Sequence, residues 1–300
     1  MHFHPKIGLH KGQIRLGIAT MATLGLLVAL PGNAQAAAVP VPLGTADSFV
    51  VLAGAGITNT GPTTLHGDLG TFPTTSITGA GKLTVTGTNH AGDAVTQGAK
   101  SDLVTAYKTA AGQGPTLPIS GDLTGKTLKR GVYNSASSIG LTGAVTLDGA
   151  GNPDSVFVFQ AGSSLTTGSG SRINLINGAR SCNVIWQIGS SATLGTGSKF
   201  VGTILAKTSV TATTGATVVG RLLARNGAVT LDTNTITRPT ACTAAGGQVR
   251  RVPSGGVRTG DGSTAGGGSN GQALLAGTLV FAGLGGATIV AVRRRRRVNT

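Results

Sequence analysis

Two consecutive stretches, "GSSATLGTGSKFVGTILAK" at residues 189–207 and "TSVTATTGATVVGRLLAR" at residues 208–225, repeat one short apolar pattern. At a spacing of 18 residues, Val201 matches Val219, Gly202 matches Gly220 and Leu205 matches Leu223. An earlier copy, "GSSLTTGSGSRI" at residues 162–173, matches the start of the first stretch at a spacing of 27. A repeat whose period varies in this range predicts a stacked coil that carries loops at its corners.

Within each copy, apolar residues alternate with threonine, as in Val210-Thr211-Ala212. Alternation with period two indicates strands that bury one set of side chains and expose the other. The 300-residue chain contains 50 Gly and only 3% aromatic residues, a composition typical of many short strands joined by turns. We therefore predict a mainly β protein, built as a β-solenoid over residues 37–247.

Aligning the copies places five threonines in one outward column: Thr146, Thr166, Thr193, Thr211 and Thr230. Stacked strands would set these side chains about 4.8 Å apart. Each threonine carries a methyl and a hydroxyl group on a side chain that is stiff at χ1, so a flat column of them can order water. The alternative is that threonine is simply a good strand residue on a solvated face.

One segment departs from the strand pattern, "NHAGDAVTQGAKSDLVTAYKTAAG" at residues 89–112. Apolar residues recur there at helical spacing, and Gly112 with Pro115 provides a stop signal. We predict one amphipathic helix that packs along the side of the coil. Its apolar face comprises Val95, Ala99, Leu103, Ala106 and Tyr107.

The formal net charge of +15 lies mostly at the two ends of the chain, including the run of five arginines at residues 293–297. Residues 37–247 contain 13 Lys or Arg and 8 Asp, with no basic cluster in the sequence. This distribution argues against a nucleic-acid-binding surface.

The two ends have the features of targeting and anchoring segments. Residues 1–36 combine a basic start, an apolar stretch and the Ala34-Gln35-Ala36 pattern of a signal-peptide cleavage site. Residues 248–272 form a Gly/Ser-rich linker, and residues 273–292 are an uncharged stretch long enough to cross a bilayer as a helix. The basic tail at residues 293–300 would then lie in the cytoplasm and the rest of the mature chain outside.

The chain has two cysteines, Cys182 and Cys242, both in the part predicted to be exported. A disulfide between them is the favoured interpretation, and two free thiols are the alternative. Their separation and the lack of flanking histidines argue against a metal motif, so no metal or cofactor is expected.

An enzyme on the same kind of coil would need paired carboxylates or a base beside a charge-neutralising group. Only Asp148 and Asp154 lie close together in the sequence, on either side of "GAGNP", where a turn explains them better. The histidines His66 and His90 have no acidic or nucleophilic neighbours that indicate catalysis. We therefore predict a protein that is not an enzyme.

Several longer stretches resemble the bacterial and fungal ice-binding-like proteins. They are "LGTADSFVVLAGAGITNTGPTTLHGDLG" (43–70), the alanine-rich helix that ends "AYKTAAG", "GVYNSASS" (131–138), "VFVFQAGSSLTTG" (156–168), "NVIWQIGSSATLGTGSKFVGTILA" (183–206) and "GRLLARNGAVTLDTNTIT" (220–237). They cover nearly all of residues 43–240, in the order of the family.

The resemblance implies an irregular right-handed β-solenoid of triangular cross-section, with a helix along its axis and coils that are not stacked in chain order. It also implies ice as the partner. The family's motif Thr-(Ala/Gly)-x-(Thr/Asn) is matched at residues 60–63, 86–89, 211–214 and 214–217, which adds Thr213, Thr214 and Thr217 as weaker candidates for the binding surface. Lys199 and Lys207 would interrupt that surface if they project from it.

The tail segment "VPSGGVRTGDGS" (252–263) is similar to the sorting tails of Gram-positive, especially actinobacterial, surface proteins. It departs from their Leu-Pro-x-Thr-Gly signal, since Val257-Arg258-Thr259-Gly260 stands in that place. We therefore expect a secreted, surface-anchored protein that adsorbs to ice and is either held in the membrane by a C-terminal helix or attached to the cell wall. The alternative is a non-ice adhesin or structural wall module on the same fold.

Overall fold

The computed structural model of the chain describes residues 1–4 and 38–240. Most of the predicted signal peptide lies outside these residues, as do Cys242, the linker, the membrane span at residues 273–292 and the basic tail. Among the residues that the structure describes, no helix is both long enough and apolar enough to span a membrane.

The described chain consists of short strands and a single α-helix. The strands before the helix are β1 (Phe49–Ala53), β2 (Ile57–Asn59), β3 (Thr63–His66), β4 (Asp68–Thr71), β5 (Ile77–Thr78) and β6 (Leu83–Val85). Helix α1 is Ala94–Ala111. The strands after the helix are β7 (Leu117–Pro118), β8 (Thr127–Lys129), β9 (Gly131–Ser135), β10 (Ile139–Leu141), β11 (Ala144–Asp148), β12 (Phe157–Ala161), β13 (Leu165–Thr167), β14 (Arg172–Ile176), β15 (Val184–Ile188), β16 (Ala192–Leu194), β17 (Lys199–Ala206), β18 (Val210–Ala212), β19 (Thr217–Ala224), β20 (Val229–Leu231) and β21 (Thr235–Thr237).

All the ladders between these strands are parallel, and they form three faces of a solenoid. The seven-stranded sheet is called here the threonine face, and its strand order is β10-β13-β16-β18-β20-β2-β5. The other sheet bends into two faces. The helix face contains β7, β9, β12, β15, the second halves of β17 and β19, β1 and β4; the mixed face contains β8, β11, β14, the first halves of β17 and β19, β21, β3 and β6.

The coils do not stack in chain order. We number the coils by their order along the solenoid. Coils 1 to 4 are β7 and β8, β9 to β11, β12 to β14, and β15 to the first half of β17. Coil 5 runs from the second half of β17 to the first half of β19, coil 6 from the second half of β19 to β21, coil 7 from β1 to β3 and coil 8 from β4 to β6. Strands β1, β2 and β3 therefore pair with the last strands of the chain, β19, β20 and β21. Helix α1 leads the chain from coil 8 to coil 1, which confirms the expectation taken from the family.

Two glycines allow β17 and β19 to run continuously around a corner. Gly202 has φ +110°, and a Cβ there would lie 2.6 Å from the Val184 carbonyl oxygen. Gly220 sits beside it in the next coil, where a Cβ would lie 1.8 Å from the Gly202 oxygen. The repeat places glycine at both positions because any larger residue would push neighbouring coils apart.

The interior is filled by the inward side chains of successive coils, and aromatic rings stack through its centre. The stacked rings of Phe159 and Trp186 have their centroids 4.0 Å apart. Tyr133 stacks on Phe159 at 5.3 Å, and the Phe200 ring contacts Trp186 at 5.3 Å in a tilted arrangement. The indole Nε1–H of Trp186 donates to the Val201 carbonyl at 3.0 Å, so its polar group is satisfied. Each fully buried large side chain contributes roughly 1.5–3 kcal/mol to folding.

Helix α1 packs on the helix face, as predicted from its spacing. Asp93 caps its first turn by accepting the Thr96 backbone N–H at 2.8 Å. The buried residues of the helix are Thr96, Ala99, Leu103, Ala106, Tyr107 and Ala110. The prediction was wrong for Val95, which is 47% exposed because it lies in the first turn on the solvent side.

Cys182 lies half-buried in a 3-10 turn at Ser181–Asn183, between β14 and β15. The described residues contain no free cysteine. Since Cys242 lies outside them, the Cys182–Cys242 disulfide stays a prediction.

Candidate functional site

The most regular surface of the solenoid is a row of threonines on the threonine face. Each of its strands in coils 3 to 8 contributes one threonine, and neighbours in the row are paired in register. The row consists of Thr166, Thr193, Thr211, Thr230, Thr58 and Thr78. Parallel pairing sets successive members about 4.8 Å apart. We call these six residues the threonine ladder.

Four of the five predicted members are brought together in this ladder: Thr166, Thr193, Thr211 and Thr230. The fifth, Thr146, was placed there wrongly, because β11 belongs to the mixed face and pairs Thr146 with Thr127. The six letters "GAVTLD" at residues 143–148 recur at residues 227–232, yet they form β11 in one case and β20 in the other. Strand alternation is the same in both copies, but the corner that decides the face depends on the loops before it.

Thr58 and Thr78 belong to the ladder and were missed in the sequence. They lie in β2 and β5, which precede the helix in the chain but extend the ladder beyond Thr230. The signal was an Ile-Thr pair in each strand, which repeats the apolar-threonine alternation of the later coils. It becomes informative only when coils 7 and 8 are known to stack on coil 6.

The outward residues that precede the ladder in each coil are small and uncharged. The residue two positions before each threonine is Ser164, Ser191, Ser209, Ala228, Gly56 or Ser76. Among the residues that the structure describes, the strands of this face contain no charged side chain. Except at Thr78, at the end of the row, the inward residues on either side of each threonine are buried, as are Ala192 and Leu194 around Thr193. The ladder is therefore fixed from below by the core and open to solvent above.

The two lysines that could have interrupted the threonine face do not lie on it. Lys199 begins β17 on the mixed face, between Arg172 and Thr217. Lys207 is exposed at the corner that follows β17, before the ladder strand β18 begins. Neither residue interrupts the ladder.

The weaker candidates lie at or beyond the edge of the threonine face. Thr213 and Thr214 are in the corner between β18 and β19, where their hydroxyls donate to the Leu194 carbonyl at 2.8 Å and to Asp232 at 2.5 Å. These bonds tie neighbouring coils together. Thr217 begins β19 on the mixed face. In the motif match at residues 60–63, Thr63 is only 2% exposed and is unavailable to any surface partner.

Asp122 stabilises the coil 1 end of this face. Its carboxylate accepts hydrogen bonds from the hydroxyls and the backbone N–H groups of Thr124 and Thr142. Partial burial opposes its ionisation, but these hydrogen bonds outweigh burial and lower the pKa of Asp122 to about 2. The carboxylate thus acts as a structural clamp between coils.

Of the acidic residues considered for catalysis, Asp148 ends β11 and Asp154 lies in the turn that follows it. Asp148 accepts the Ala150 backbone N–H and the Asn177 side-chain amide, both at 2.8 Å, and these bonds lower its pKa. The His90 ring contacts Asp93, the helix cap, at 2.6 Å. Within the described part of the chain, no three His, Cys, Asp or Glu side chains come together as a metal site would require.

Sequence comparison gives a consistent set of relatives. The profile of the ice-binding-like family matches residues 51–237. The ice-binding protein of Nostoc sp. (strain HG1) is 46% identical over 206 residues, which are 68% of this chain and 76% of that protein. The ice-binding protein of Colwellia sp. is 38% identical over 229 residues, 70% of this chain and 88% of that protein.

Solved structures of similar proteins share the fold. The crystal structure of an ice binding protein from an Antarctic biological consortium superimposes with a TM-score of 0.67 at 46% identity, covering 68% of this chain and 93% of that one. The ice-binding protein of the Antarctic ascomycete Antarctomyces psychrotrophicus superimposes with a TM-score of 0.64 at 43% identity, covering 66% of this chain and 98% of that one.

Proposed function

Because this chain belongs to the ice-binding-like family, we propose that it adsorbs to ice and that the threonine ladder makes the contact. The observation that carries the proposal is six threonines in register on a sheet without charged residues. The relatives named above are ice-binding proteins, which supports a binding role rather than an enzymatic one.

The physical basis is a match between a rigid surface and a crystalline solid. Every ladder strand is hydrogen-bonded to the coil before and after it, apart from the strands at the ends, so the spacing between threonines is held by the backbone. The stiff χ1 of threonine fixes its methyl and hydroxyl groups relative to that backbone. Water held in a fixed array over these groups can merge with the ice lattice at little further entropic cost.

The mixed face supports the function less well. It also has threonines in neighbouring coils, Thr217 and Thr235 among them, but Lys199 and Arg172 continue the same row. The threonine face has the longer uncharged row, and we therefore assign the contact to it.

We further propose that the module is exported and held at the cell surface. The support is in the sequence: a predicted signal peptide at residues 1–36, an uncharged stretch at residues 273–292 and the five arginines after it. A module held outside the cell in this way would bring its ladder to ice there. The same arrangement would serve a non-ice adhesin, which is the second candidate.

Partitioning of the full chain into a slowly growing ice crystal tests the function. We expect the protein to be enriched in the ice fraction, whereas a globular protein of similar size without an ice-binding surface stays in the liquid. Recovery of the folded chain from the liquid alone would reject ice adsorption and leave the adhesin.

A further inference from the structure

The outward residues of the mixed face form a row that changes character halfway along the solenoid. From coil 8 to coil 5 the row contains only threonines, Thr84, Thr64, Thr235 and Thr217. It then continues through Lys199 in coil 4 and Arg172 in coil 3. Two cations thus follow directly on four threonines in the same register.

The threonine half of this face is similar in chemistry to the threonine face. The adjacent outward row in coils 5 to 7 contains Val219, Thr237 and His66, so two rows run side by side there. Val219 is 44% exposed, which leaves an apolar group available among the hydroxyls. Only at Lys199 does a charged side chain enter the first row.

Lys199 and Arg172 have no evident structural role that would explain them. Both side chains are exposed, and they stand directly opposite each other on paired strands. Like charges in this position destabilise a sheet slightly. The ion pairs found among the described residues, His90–Asp93 and Arg221–Asp47, involve neither of them.

We propose that Lys199 and Arg172 determine which face of the solenoid adsorbs to ice, by breaking the threonine row of the mixed face. The inference rests on the proposed function. An ammonium and a guanidinium group are both charged and present only donors, so they orient nearby water in a way that an ice surface does not continue. Their long, mobile side chains also hold a flat crystal away from the neighbouring threonines. Ice adsorption is thereby confined to the threonine face.

The test replaces the two cations by threonine and so completes the threonine row of the mixed face. The double variant Arg172→Thr/Lys199→Thr would give the mixed face six threonines in register, from coil 8 to coil 3. Both positions are exposed strand positions, where threonine is well tolerated. The full chain is labelled with a fluorophore and adsorbed to a single ice crystal. We expect the labelled double variant to adsorb to crystal planes on which the labelled wild type gives no fluorescence.

The same two changes are then made where the threonine ladder is disabled by Thr193→Lys/Thr211→Lys. The ladder variant alone should lose recrystallisation inhibition, and the added threonines should restore a substantial part of it. The matched control is Lys126→Thr/Lys207→Thr, which removes the same charge outside the row and should restore nothing.

The outcomes separate the two claims. If the wild type adsorbs and the ladder variant does not, but the added threonines give neither new planes nor restored inhibition, only this inference is overturned. Equal restoration by the control would also overturn it, since net charge would then be the cause. If the wild type never adsorbs, or the ladder variant remains fully active, the proposed function or its assignment to the threonine face fails, and this inference fails with it.

Discussion

At the scale of single residues, the ladder ends where a glycine replaces threonine. Gly140 in β10 pairs with Thr166 and is the coil 2 member of the same row. It has no positive φ, and a Cβ there would lie 3.6 Å from the Asp122 Cα, an ordinary contact. The position therefore accommodates a Cβ without displacing its neighbours.

We predict that Gly140→Thr extends the ladder to coil 2 and raises activity. A β-branched residue in place of glycine in a strand should also stabilise the fold by roughly 0.5–1 kcal/mol. The measurements are recrystallisation inhibition and urea unfolding. Gly81→Thr is the control, since a Cβ at Gly81 meets nothing within 4 Å and the residue lies outside the ladder. A gain from Gly81→Thr equal to that from Gly140→Thr would contradict the prediction.

Residue types alone could not place every threonine. The pattern around Thr193 and Thr211 was sufficient, since the spacing of 18 residues is also the register of β16 with β18. Thr146 has the same local sequence as Thr230 and yet lies on another face. The local sequence does not say on which face a strand lies, because the lengths of the preceding loops decide at which corner of the solenoid the strand begins.

At the scale of elements, the strands and the helix were largely predictable. The spacing of 27 residues between copies became the pairing of Leu165 with Ala192 and of Arg172 with Lys199. Helix α1 formed within the predicted residues because its alanine spacing and its stop signal are local properties. The pairing of β2 with β20 was not predictable from the repeat, since it joins the two ends of the module.

The helix is attached to the solenoid partly by a half-buried lysine, Lys100. The Lys100 ammonium donates to the carbonyl oxygens of Ala224 and Arg225, at 2.7 and 2.5 Å. The Arg225 guanidinium lies 4.6 Å above the Tyr107 ring of the same helix. Burial, with a smaller contribution from the nearby Arg225 charge, lowers the pKa of Lys100 from 10.5 to about 8.

This pKa predicts a pH dependence of stability. Below pH 8 Lys100 is charged in the folded and unfolded states, and burial of that charge has its full cost. Between pH 8 and 10.5 the unfolded chain binds more protons, so the free energy of unfolding should rise with pH. The rise is on the order of 1 kcal/mol per pH unit.

Urea unfolding between pH 7.5 and 9.5 measures the effect. We expect Lys100→Met to remove this rise, whereas Lys108→Met, at an exposed position on the same helix, should retain it. The same slope in wild type and Lys100→Met would show that Lys100 does not carry the dependence.

At the scale of the whole module, the ladder combines strands from before and after helix α1 in the chain. Thr58 and Thr78 come from coils that precede the helix, and the other four threonines from coils that follow it. The uninterrupted row thus exists only when coil 7 has paired with coil 6. Such distant pairings raise the contact order and slow folding. We therefore expect the complete threonine row to form late in folding.

The central claim is that the threonine face, and not the mixed face, makes the contact with ice. The most direct measurement compares recrystallisation inhibition by two paired variants, Thr193→Lys/Thr211→Lys and Thr217→Lys/Thr235→Lys. Each variant adds two lysines to neighbouring coils at solvent-facing strand positions. The free energy of unfolding should therefore change by no more than about 0.5 kcal/mol per substitution, which thermal melting checks. We predict that the first variant loses recrystallisation inhibition and that the second retains it. Loss confined to the second variant would place the ice contact on the mixed face and contradict the assignment to the threonine face.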